Sequence, residues 1–115
     1  MLPEEVRAGV RHFNARAFFE AHEAWEDHWG HGPPPERAAT LGLIKAAVAL
    51  HHLEAGNAAG FSWQAEEAIR HLRENAGVWP ELRLAELADA LGSLAAQARF
   101  HGIARGFELP TLPDL

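Results

Sequence analysis

Apolar residues recur along this chain at spacings of three and four, the period of a helix with one buried face. Nowhere do polar and apolar positions alternate over six residues, as they would in a half-buried strand. An all-α chain follows. Pro3 suits the first position of a helix, where its missing N–H needs no partner, and Glu4 and Glu5 fall near the positive end of the helix dipole. The first helix is predicted to run from Pro3 to about Phe13, with Asn14 as a break and as N-cap of a second helix at about residues 15 to 29. Gly30 and the stiff Gly-Pro-Pro-Pro run of 32 to 35 end it. A third and most apolar helix opens at Pro35, carries Leu41, Ile44, Val48 and His51, and stops at Ala55 before Gly56. Phe61, Ala65, Ala68, Ile69, Leu72 and Ala76 stripe a fourth at about 59 to 76, for which Asn57 and Ser62 are both suitable caps. After Trp79-Pro80, Leu84, Leu87, Ala88, Leu91, Leu94, Ala95 and Ala98 mark a fifth at about 84 to 101, and residues 108–115 should be extended. About five amphipathic helices with short loops predict a compact antiparallel bundle in a single domain, residues 1–115.

The second helix breaks the polar-out rule. At roughly 100° per residue, Phe18, His22, Trp25, Glu26 and Trp29 project from one face, so a helix that turns its Trp residues inward turns His22 and Glu26 inward too. An unpartnered buried carboxylate costs several kcal/mol or takes up a proton, so a partner is required. The third helix offers His51, within its apolar arc, and His52 at the edge of that arc near Lys45. His22 and Glu26 have the i, i+4 spacing at which two side chains of one helix grip one ion, as in the His-Glu-x-x-His zinc motif; His51 or His52 would complete the set. Such a set suits a divalent metal with one position open. The Glu-x-x-His tetrad of di-iron bundles does not occur, so a dinuclear site is not expected. The blander reading is a hydrogen-bonded network that fixes helix register.

Other polar groups change the picture less. Glu23 projects away from the centre of the apolar arc and is the weak candidate for general-base work, while Glu20 only solvates. His28 and His31 flank a helix end, where cations interact well with the dipole, and His12, His71 and His101 have no motif around them. All five read as structural or surface groups. Lys45 reads as a lysine snorkelling from the edge of its helix. Trp25 and Trp29 are expected in the core, whereas Trp63 lies opposite the fourth helix's stripe and is expected to be exposed. An exposed Trp often anchors an interface, so a homodimer contact is one candidate, with no other partner named by the sequence.

Charge and composition remove several functions. With 16 acidic and 10 basic residues the net charge is −6, which disfavours nucleic acid and anionic membrane surfaces. There is no cysteine, which excludes thiol catalysis and disulfides, and no signal-peptide pattern, so a cytoplasmic protein is the expectation. Gly-rich phosphate loops and nucleophile elbows are absent.

Several of these residues also carry a resemblance. Phe13-Asn14, Phe18-Phe19-Glu20-Ala21-His22-Glu23-x-Trp25-Glu26-x-x-Trp29, Leu43-Ile44-x-x-Ala47, His52 and Gly56-Asn57 together resemble a family of small, mostly bacterial, all-helical proteins known only as a domain of unknown function. The resemblance covers about residues 10 to 75 and implies a compact all-α bundle whose shared pattern includes His22, Glu23, Trp25, Glu26, Trp29, His52 and Asn57. It brings no activity, and Lys45 stands where Gln would be expected.

Two functions remain in view. The favoured one is a non-catalytic interaction or ligand-binding module, with a polar pocket between the second and third helices lined by His22, Trp25, Glu26, Trp29, His52 and Asn57. The alternative is a mononuclear metal-binding protein or metal-dependent hydrolase that uses His22, Glu26 and His51 or His52.

Overall fold

A computed structural model describes residues 2–101 and 107–114, apart from the side chain of His101. Five α-helices follow one another: α1 (Glu4–Asn14), α2 (Phe18–Trp29), α3 (Pro34–Glu54), α4 (Ala58–Glu74) and α5 (Leu84–His101), with a 3₁₀ turn at Pro80–Leu82 before α5. No strand occurs among the described residues. Each helix packs on the next, and the pairs run antiparallel: Phe13 meets Phe18, Arg16 reaches Glu54, His28 reaches Glu36, and Arg73 reaches Asp89. A radius of gyration of 13.0 Å is that of a compact domain of this length. The expected all-α architecture is therefore present, and each helix lies within a few residues of its predicted span.

The boundaries show where local chemistry decides. α3 ends as the glycine rule requires: Gly56 takes φ +77°, and the N–H of Asn57 donates to the carbonyl of His52 at 2.9 Å, a Schellman closure. Asn57 then caps α4, its side chain accepting from the N–H of Gly60 at 2.9 Å, so Asn57 rather than Ser62 is the start signal. The end of α1 departs from expectation. Asn14 is still helical and caps nothing; the same closure forms around Arg16 at φ 63°, with the Ala17 N–H on the His12 carbonyl at 2.9 Å. Asn14 instead exchanges two hydrogen bonds with the backbone of Leu112, at 2.9 and 2.8 Å. These bonds pin the non-helical segment 107–114 to α1, and Leu112 is buried there.

One apolar cluster draws on all five helices. α2 buries Phe18, Ala21 and Trp25 in it and the polar His28 beside it, not the face predicted for this helix. Its buried stripe is turned by roughly 60° about the helix axis at 100° per residue. Trp25 explains the rotation. Its indole lies against α1, donating from Nε1 to the Val6 carbonyl at 3.1 Å, where Gly9 leaves room that any Cβ would fill. With Trp25 aimed at α1, Trp29 turns outward to 38% exposure and lies under the Arg37 guanidinium, 5.3 Å from its ring centre. Glu26 turns outward with it, its side chain 54% exposed. The inward Trp29 and Glu26 of the sequence reading are thus corrected. Trp63 is exposed, as expected.

Candidate metal centre

The polar group that α2 buries is His28, in its last turn, where a ring that can carry positive charge suits the helix dipole. Three other elements converge on it. Glu5 comes from the first turn of α1, His31 from the turn after α2, and Glu36 from the first turn of α3, behind the rigid Pro33–Pro35 entry. The turn folds back tightly because the N–H groups of His31 and Gly32 both donate to the His28 carbonyl, at 3.2 and 2.8 Å. A Cβ on Gly32 would stand 2.8 Å from His28 Nε2, so any larger residue there would press on the buried imidazole. The buried indole of Trp79 lies against the His28 ring, with centres 6.0 Å apart.

The two ring nitrogens of His28 have different surroundings. Nε2 lies within hydrogen-bond reach of the Glu36 carboxylate, at 2.9 Å. Nδ1 is buried and has no hydrogen-bond partner. Its nearest acidic neighbour is Glu5 Oε1 at 3.8 Å, and His31 Nε2 lies 3.6 Å from that same oxygen. All three donor atoms lie within 4.8 Å of one another, the only such group of three His, Asp or Glu side chains among the described residues. These separations are too long for hydrogen bonds. The two separations from Glu5, 3.6 and 3.8 Å, are close to the ~3.3 Å expected between donors that share one tetrahedral ion at about 2.0–2.1 Å. Two imidazoles and one carboxylate suit zinc, iron, cobalt, nickel or manganese and leave one position for water or another ligand. The open side is toward solvent, where the His31 side chain is 61% exposed and Glu5 half-buried.

The residues singled out from the sequence fall in three places. His22 and Glu26 do meet, at 3.1 Å between Nε2 and Oε1, on the outer surface of α2. His22 Nδ1 also lies 3.0 Å from the Phe19 carbonyl, so both ring nitrogens already face oxygen atoms of α2. His52 belongs to a second pair: its Nδ1 accepts from the Asn57 side chain at 3.3 Å, beside the cap of α4. His51 is exposed and lies against His52, with ring centres 6.2 Å apart. The two pairs do not come together with His51 into one three-donor group, Trp25 faces α1, and Glu23 is exposed. His71 on α4 is held below the ordinary histidine value chiefly by burial and then by the positive charges of Arg70 and Lys45, against Glu67 and Glu74.

Sequence reasoning passed over His28, His31, Glu5 and Glu36. Two signals were available. His28 continues the three- and four-residue spacing of Phe18, Ala21 and Trp25, and His28-x-x-His31 sits at a helix end just before an acidic first turn at Glu36.

Residues 6–63 match a protein family described as a domain of unknown function (DUF309), as the sequence resemblance implied. The match runs from Val6 within α1 through α2 and α3 to the start of α4; it includes His28, His31 and Glu36 and begins one residue after Glu5. The uncharacterized protein YpuF of Bacillus subtilis is 39% identical over 75 residues, covering 64% of this chain and 43% of that protein. This chain therefore spans less than half the length of the curated relative it matches. No solved structure matches it.

Proposed function

Because this chain belongs to the DUF309 family, whose description names no reaction, we propose from the geometry that it is a helical metal-binding protein, holding one divalent ion of the zinc class at Glu5, His28 and His31. The observation that carries this reading is the buried Nδ1 of His28, which points at a carboxylate too distant for a hydrogen bond and has no other partner. Native proteins rarely leave a buried polar atom orphaned, since the desolvation penalty is about 1–3 kcal/mol. An ion shared with Glu5 and His31 removes that penalty.

The test is elemental analysis of tag-free protein purified without chelator, repeated after stripping and reloading with zinc. One zinc per chain is expected in the wild type and none in His31→Ala, whose exposed side chain leaves the fold intact. A wild-type chain that stays metal-free at micromolar zinc would overturn the reading.

A second, compatible reading concerns association. Trp63 is 65% exposed, and such a ring supports a contact with another copy of the chain. Native mass spectra over a concentration series should then show dimers that Trp63→Ala abolishes. The net charge of −6 supports partners other than nucleic acid or anionic membranes, and no described helix is long and apolar enough to cross a membrane. The composition also agrees with a cytoplasmic location.

A further inference from the structure

We infer that Glu36 is a positioning residue of this centre: it holds the Nε2 proton of His28 and thereby turns the Nδ1 lone pair toward the ion. The inference rests on the metal reading above, but its geometry stands without an ion. A neutral imidazole carries one proton, and two positions are available for it. With the proton on Nε2, it is donated to the Glu36 carboxylate at 2.9 Å, and Nδ1 is left as a free lone pair. With the proton on Nδ1, the Nε2 lone pair would face a carboxylate oxygen at that same distance, and the Nδ1–H would have no acceptor in reach, since Glu5 stands at 3.8 Å. The first arrangement wins on both counts.

Glu36 is itself held in place. It occupies the first turn of α3, where a carboxylate is favoured by the helix dipole, and its carbonyl accepts the hydroxyl of buried Thr40 one turn on. The His28 ring is confined by Trp79 and by the backbone at Gly32. A carboxylate on the far nitrogen of a metal-bound imidazole fixes its tautomer and raises its basicity, and losing such a partner lowers metal affinity about 10- to 100-fold.

The experiment has two arms. In the first, long-range ¹H–¹⁵N spectra of the metal-free protein read the His28 tautomer. Nε2–H is expected in the wild type, with a mixture in Glu36→Leu; Nδ1–H in the wild type would overturn the inference. In the second, zinc titration compares the wild type with Glu36→Gln, which is expected to bind about 10- to 100-fold more weakly with the same stoichiometry. Unchanged affinity would overturn the inference, and so would a loss as complete as that of His31→Ala, which would make Glu36 a ligand. A wild type that binds no zinc would instead sink the metal reading, and the tautomer would still report on Glu36. Glu26→Gln, whose carboxylate contacts only His22, is the control and should bind zinc like the wild type.

Discussion

Helix α2 carries two pairings of histidine with glutamate less than two turns apart, and they illustrate opposite outcomes of the same chemistry. His22 and Glu26 lie on one helix at i, i+4, meet at 3.1 Å in partial contact with solvent, and satisfy each other. His28 is buried and takes its neighbours from three other segments, and one nitrogen stays unmatched. Spacing along a helix is enough to make a pair. A site that demands something further needs burial and convergence, which depend on which way the helix is turned.

Four experiments bear on this contrast, and the largest effect should be thermal. At zinc a hundredfold above its dissociation constant, a ligand that binds only the folded chain adds about 2.7 kcal/mol, roughly 10 °C in Tm for a domain of this size. Calorimetry should show that increment in the wild type and in His22→Ala, and none in His31→Ala. An increment lost in His22→Ala would move the site to the outer face of α2.

Next in size is the metal-free stability of His28→Ala. It leaves the Glu36 carboxylate without its donor and a void beside Trp79, and should cost about 2 kcal/mol in urea melts. His22→Ala should remain within about 0.5 kcal/mol of the wild type. Equal losses would end the distinction between the two clusters.

Smaller again is the ion pair itself. At a pH low enough to protonate the His22 imidazole, Glu26→Gln should lower stability by about 0.3–0.5 kcal/mol at low ionic strength, and the difference should vanish in molar salt, because an exposed pair is screened. The smallest effect belongs to His71. Its lowered value in the folded state means that the unfolded chain binds the proton more readily, so its contribution falls as pH drops below 6.5 and levels off beneath the folded value. His71→Gln should flatten that part of the pH–stability curve; an unchanged curve would assign the slope to other groups.

The contrast also explains what could be read from the sequence. Helix spans were legible because long stripes such as Leu84 to Ala98 repeat the same period many times, and Gly56 marks an end by a conformation other residues avoid. The turn after α1 was not, since a left-handed Arg16 carries no compositional signal. The face of α2 was misread because two Trp residues within one turn were both counted as core. Gly9 makes room for Trp25 alone, and Trp29 is satisfied outside by Arg37. The candidate centre was hidden for a related reason: Glu5 is remote in sequence from His28, and only the α1–α2 packing that seats Trp25 brings them together.

That convergence is tested most directly by anomalous diffraction from zinc-soaked crystals at the zinc absorption edge. One strong peak is expected within bonding distance of Glu5, His28 Nδ1 and His31 Nε2, with Glu36 on the far side of the His28 ring. No peak there, or a peak between His22 and Glu26 instead, would contradict it.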